Sequence, residues 1–131
     1  MYVLDTNICI YIIKKQPPSV FERFESLPLG SVSMSLVTFG ELEYGAMRSN
    51  NSEKALNILD ELINYIPVLP MGTDVAKHYA DIRADLAKKG TPIGNNDLWI
   101  AAHTRSLGHI LVSNNIKEFE RVENLHLENW I

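Results

Sequence analysis

Four acidic residues stand where this chain could do chemistry. Asp5 follows the apolar run of "MYVLDTN", Glu41 lies in "FGELEYGA", Asp97 opens "DLWIAAH" after the turn-rich "TPIGNN", and Glu118 follows "HILV" in "SNNIKEFERV". Carboxylates brought together repel one another unless cations sit between them. An oxygen-only set, with no His or Cys in it, suits Mg²⁺ or Mn²⁺ better than Zn²⁺. Such an ion lowers the pKa of a bound water, orients it in line with a phosphodiester and neutralises the departing oxyanion. The chemistry that fits Asp5, Glu41, Asp97 and Glu118 is therefore metal-dependent phosphodiester hydrolysis, with the acids serving as metal ligands and catalytic groups.

Each acid also has a structural role open to it. Asp5 can cap the helix that follows. Glu41 can close a capping box with Thr38, since "TFGE" has the spacing, and Asp97 can be favoured by the positive end of its helix. "KEFER" reads equally as a solvated charged turn around a buried Phe119, and Asn115 competes with Glu118 as a neutral ligand or water-holding group. Glu41 is the most informative of the set. Its neighbours Phe39, Gly40 and Leu42 are apolar or small, and a carboxylate drawn into such a segment needs a cation or strong donors.

The elements that must position these groups alternate between strand and helix. Residues 2–4 read as a short strand ending on Asp5, and "NICIYIIKK" as a buried helix stopped by "QPP". "PSVFERFESL" fits a second helix with Val20, Phe21 and Phe24 on its apolar side, and "SVSMSLV" alternates at Val32 and Met34 as a strand does. From residue 35 the period becomes helical, with Phe39, Leu42 and Ala46 on one side. "SEKALNILDELINYI" is the clearest amphipathic helix, capped by Ser52, with Leu56, Leu59, Ile63 and Ile66 in register. After the short strand "IPVLP", a helix runs from a capping Thr73 through Val75, Tyr79, Ile82 and Leu86 to Gly90 at its C-terminal turn. "DLWIAAHTRSLG" implies a helix buried on most sides, and "HILVSNN" and "LHLENW" are the last strands. This order predicts an α/β fold, a parallel sheet with helices on both faces; in such sheets ligands bind at the carboxyl ends of the strands.

A chain of 131 residues with 46% hydrophobic content suits one compact domain, residues 1–131. It shows no signal-like segment and no membrane-length apolar run, which points to the cytoplasm and away from a membrane. The single cysteine, Cys9, excludes an internal disulfide and reads as core. His78, His103, His109 and His126 have no metal-ligand spacing and read as surface or satisfied core groups. A formal charge of −4 argues against a broad basic face for nucleic acid.

Taken together, "LDTN", "FGELEYGA", "GTPIGNNDLWIAAH", "LVSNNIKEFERV" and "LENW" make the chain resemble the PIN-domain ribonucleases, and within them the VapC toxins of toxin–antitoxin pairs. The match spans nearly the full chain in the family's order; "DTN" alone is weak, while the long segment through Asp97 is specific. The resemblance implies a PIN-like three-layer fold and an Mg²⁺-dependent endoribonuclease, with Mn²⁺ able to substitute. Asp5, Glu41 and Asp97 match the family's metal-binding acids. Glu118 matches a fourth acid found in part of it, whereas many relatives carry an Asp nearer to where this chain has Asn114 and Asn115. Thr6 and Ser113 match hydroxyl positions that orient a carboxylate or a water, and Asn7 and Asn115 join them as supporting groups. The resemblance further implies a homodimer, a cognate VapB-type antitoxin whose C-terminal segment covers the acidic pocket, and a structured RNA target, initiator tRNA among close relatives. It also meets the charge objection, because bound divalent ions cancel the site acids locally. Lys14, Lys15, Arg48, Arg83, Lys88, Lys89, Arg105, Lys117 and Arg121 are then the cations open to phosphates.

Three other readings compete. A dehalogenase-like phosphatase needs a second acid two residues after the first, where this chain has Asn7. A receiver-like domain needs paired acids after the first strand. A non-enzymatic binding module would use the acids as caps, with no reason to select Mg²⁺ or Mn²⁺.

Overall fold

The computed structural model describes residues 1–131. In chain order the elements are β1 (Tyr2–Leu4), α1 (Thr6–Lys14), α2 (Pro18–Ser26), β2 (Val32–Ser35), α3 (Leu36–Met47), α4 (Ser52–Leu62), β3 (Val68–Leu69), α5 (Asp74–Lys89), α6 (Asn95–Leu107), β4 (Ile110–Val112), α7 (Ile116–Phe119) and β5 (His126–Glu128). The five strands form one sheet in the order β3-β2-β1-β4-β5, with every pair parallel. The chain moves outward from β1 to β3, then returns through α5 and α6 to lay β4 on the other side of β1. The direction of winding therefore reverses between β1 and β4, the point at which sheets of this kind have a crevice at their strand ends. Leu4 pairs with Val112, which puts Asp5 beside Ser113 at that point.

Side chains on a strand alternate between faces, and both faces are covered. Leu4, Val32, Met34 and Val112 pack with Ile8, Leu42, Leu59 and Ile66 on one side. Val3 and Leu111 pack with Ile82, Leu86, Leu98 and Phe119 on the other. The alternation at β2 does not mark a solvated face: Ser33 and Ser35 are buried as deeply as Val32 and Met34. Ser33 meets the requirement for a buried hydroxyl by donating to the Tyr2 carbonyl at 3.2 Å. At the far edge, the "LENW" segment closes the sheet. Trp130 stands edge-on to Tyr2 at 5.5 Å and donates from Nε1 to Glu128 at 2.9 Å, while Arg23 bonds both Glu128 and the Tyr2 hydroxyl.

Several helix ends differ from the sequence reading. Asn51, not Ser52, caps α4, its Oδ1 accepting from Lys54 N at 3.2 Å. That helix ends at Leu62 rather than continuing to Ile66. Thr73 makes no side-chain cap, whereas Gly90 closes α5 in the left-handed region at φ 70°, as a C-terminal glycine does. Helix α6 takes in Asn95 and Asn96 from the expected loop. No helix is long and apolar enough to cross a membrane.

Candidate active site

Asp5 is the first residue beyond β1, and it caps α1 while lying at the crevice. Its N–H donates to the Val112 carbonyl at 3.0 Å, and its Oδ1 accepts from Ile8 N at 3.0 Å. Burial, against which the Ser113 hydroxyl and the Ile8 N–H pull, raises its carboxyl above the ordinary value, and the charge of Glu41 adds to the rise.

Glu41 projects from α3. Thr6 Oγ1 donates to Glu41 Oε1 at 2.6 Å and lies 3.3 Å from Thr38 Oγ1, whose own hydroxyl can donate back to it. The capping box expected between Thr38 and Glu41 does not form. Ser35 caps α3 by accepting from Val37 N at 3.1 Å, which puts Thr38 inside the helix, fully buried. The small and apolar neighbours of Glu41 point to a largely buried segment, and the burial holds along one side only: Thr38, Leu42 and Ala46 are buried, Glu41 is half-buried, and Leu36, Tyr44 and Met47 are exposed. Thr38, read from sequence only as a cap, instead supports the hydroxyl that holds Glu41.

Asp97 lies in the first turn of α6, where a helix favours negative charge. Burial and the neighbouring charges of Glu118, Asp5 and Glu41, in that order, lift its carboxyl to about 6 from the ordinary 3.8. All three of the other acids therefore act on Asp97, although they come from the turn after β1, from α3 and from α7. Gly94 sits directly against it, with a Cβ there 3.7 Å from Asp97 Oδ2.

Glu118 stands on the short helix α7 rather than in an irregular turn, with Phe119 buried beneath it as expected. Glu118 and Asn115, which compete for the fourth position, are bonded to each other: Asn115 Nδ2 donates to Glu118 Oε2 at 2.8 Å. Ser113, fully buried, accepts from Asn115 N at 2.9 Å and links this segment to Asp5. The Asn7 side chain is exposed and makes no hydrogen bond; only its backbone N–H supports Asp5. Asn114 faces elsewhere, bonded to Asn129.

None of the four acids is paired with a Lys or Arg: every ion pair in the protein involves other residues. A rim of oxygen donors with accumulated negative charge and no internal counter-charge is chemically suited to a hard divalent cation. As they stand, no three His, Cys, Asp or Glu side chains are gathered tightly enough to cage an ion, so the acids would have to draw inward around one. The basic residues divide. Arg105, its side chain 11% exposed, is tied to Asp81, His78 and the Glu123 carbonyl, and Lys89 to Asp85 and Glu123. Arg105 is therefore committed to structure, while Lys89, in exposed ion pairs only, stays within reach of solvent. Cys9 is core, its thiol held neutral by burial.

The PIN domain family matches residues 2–125. A tRNA(fMet)-specific endonuclease VapC from Shigella flexneri is 46% identical over 129 residues, 98% of this chain and 97% of that protein. Ribonuclease VapC2 from Haemophilus influenzae is 44% identical over 130 residues, 99% of this chain and 98% of that one. Among solved structures, DNA-bound VapBC from Salmonella typhimurium superposes with a TM-score of 0.93 at 42% identity, covering 99% of this chain and 98% of that chain.

Proposed function

Because the chain belongs to the PIN-domain family, we propose that it is a VapC-type toxin, an endoribonuclease that hydrolyses a phosphodiester bond of structured RNA with Mg²⁺ or Mn²⁺. Its residues 1–131 act as one PIN domain. The observation that carries this reading is the Asp97 carboxyl, lifted to about 6 by burial and by three other acids on the same rim. Initiator tRNA is the substrate proposed, on the strength of the relative named for tRNA(fMet), and that substrate places the enzyme in the cytoplasm. A VapB-type antitoxin restrains it, and two copies form the working unit.

In this reading Asp5, Glu41, Asp97 and Glu118 hold the ion, which supplies an activated water and charge for the departing oxygen. The chain's other residues set the acids in place. Thr6 steers Glu41, with Thr38 behind it. Asn115 turns Glu118 inward and Ser113 couples that segment to Asp5. Lys117, beside Glu118 and in no ion pair, is placed to meet a phosphate. The test is incubation of the purified protein with initiator tRNA, with Mn²⁺ or with a chelator, followed by mapping of the product ends. A single dominant cut that needs the metal supports the reading. Intact tRNA under all conditions, with growth unaffected by expression of the chain, would sink it.

The Asn115–Glu118 pair makes a ranked prediction. Glu118→Gln removes a charge that attracts the cation, while Asn115→Ala removes only the group that aims it. Glu118→Gln should lower activity more and raise the Mn²⁺ concentration needed; Asn115→Ala should cost about tenfold, the lower end for groups that support a ligand. The reverse order in a metal titration would make Asn115 the ligand.

A further inference from the structure

His103 is the one histidine sealed in the core, 1% exposed, and the site described above does not use it. It lies on α6, as Asp97 does. Its Nε2 is 3.2 Å from the carbonyl of Pro70, just past β3, and its Nδ1 is 2.8 Å from Ser35 Oγ. Ser35 ends β2 and caps α3, the helix of Glu41.

The direction of each bond follows from the chemistry of the groups. A carbonyl only accepts, so Nε2 carries the hydrogen and, in a neutral ring, Nδ1 accepts. The Ser35 hydroxyl then donates to Nδ1 while its oxygen accepts from Val37 N. Every polar atom in this chain is satisfied, in keeping with a protein that leaves no buried side-chain polar atom unpartnered. Burial lowers the pKa of the ring and keeps it neutral.

We propose that His103 is a positioning residue for the acidic rim: it pins α6 to the start of α3 and to the end of β3, and so sets Asp97 against Glu41. An apolar residue could fill the same volume, but it would leave the Ser35 hydroxyl and the Pro70 carbonyl without partners and nothing directional to fix how α6 sits on α3. The inference rests on the metal reading above, and a second readout separates the two.

The experiment titrates Mn²⁺ into the wild type, His103→Leu, His103→Gln, Ser35→Ala and the His103→Leu/Ser35→Ala pair, well below the melting temperature of each. His103→Leu should weaken Mn²⁺ binding about tenfold, as loss of groups that orient metal ligands does. His103→Gln, whose amide can donate to Pro70 and accept from Ser35, should recover most of the loss. Ser35→Ala should add little to His103→Leu, because both break one chain of bonds. Wild-type affinity in a folded His103→Leu overturns the inference; if that variant does not fold, wild-type affinity in Ser35→Ala does so. Should the wild type itself bind no Mn²⁺, the metal reading falls and amide exchange decides. Faster exchange in the first turns of α6 and α3 in the variants supports the tie, and unchanged exchange overturns it.

Discussion

Asp97→Asn leaves a folded protein that no longer cuts RNA. The substitution keeps the shape and removes the charge, and the expected loss is roughly 10²–10³-fold or more, the scale seen when a hydrolase loses one group that stabilises transition-state charge. Because the Asp97 carboxyl titrates at about 6, a proton competes with the cation near neutrality. Mn²⁺ affinity and cleavage should therefore fall as pH is lowered through about 6. Without metal the sign reverses. The folded protein holds more protons than the unfolded chain between the ordinary 3.8 and about 6, so this group's contribution to stability declines as pH rises through that window. The metal-free wild type should lose melting temperature as pH rises from 3.8 to about 6, and Asp97→Asn should lose less. Wild-type cleavage by a folded Asp97→Asn protein, or identical pH profiles of melting, would remove Asp97 from the site.

The second large effect separates the two roles of Asp5. Asparagine keeps an oxygen for the Ile8 N–H and removes the charge that burial and Glu41 oppose. Asp5→Asn should thus abolish cleavage yet match or exceed the wild type in metal-free stability. Asp5→Ala should also be inactive, but less stable by about 0.5–2 kcal/mol through loss of the cap. Mn²⁺, binding the folded state alone, should raise the wild-type melting temperature and do less for either variant. Melts of the three proteins with and without Mn²⁺ measure this. An equal Mn²⁺ shift in all three would leave Asp5 a cap and nothing more.

The types of the four acids and the strand-then-helix order were legible because they depend on local pattern. Apolar runs at residues 2–4 and 110–112 meet a sheet covered on both sides, and the period change at residue 35 marks the start of α3. What escaped depends on distant partners. Thr6 is expected from sequence to orient a carboxylate or a water, but nothing near Glu41 in the chain announces that Glu41 is the carboxylate it holds, and the Thr38 spacing imitates a capping box that Ser35 makes unnecessary. The alternation at Val32 and Met34 marks a strand, but the burial of Ser33 and Ser35 depends on helices that arrive much later. The start of α6 was placed late because Gly94 caps it through its backbone conformation, without a side-chain signal.

The reversal of winding between β1 and β4 has a consequence for synthesis of the chain. Asp5 leaves the ribosome almost at once, yet the strand that completes its crevice, and the helix bearing Glu118, follow most of the polypeptide. At bacterial elongation rates this interval is on the order of ten seconds. On the function proposed above, a nascent chain would be harmless throughout it, because the rim would lack both its fourth acid and the second wall of its crevice. On the same reading, the danger to a producing cell would begin only near the end of translation, which is when the proposed inhibitor would already have to be waiting.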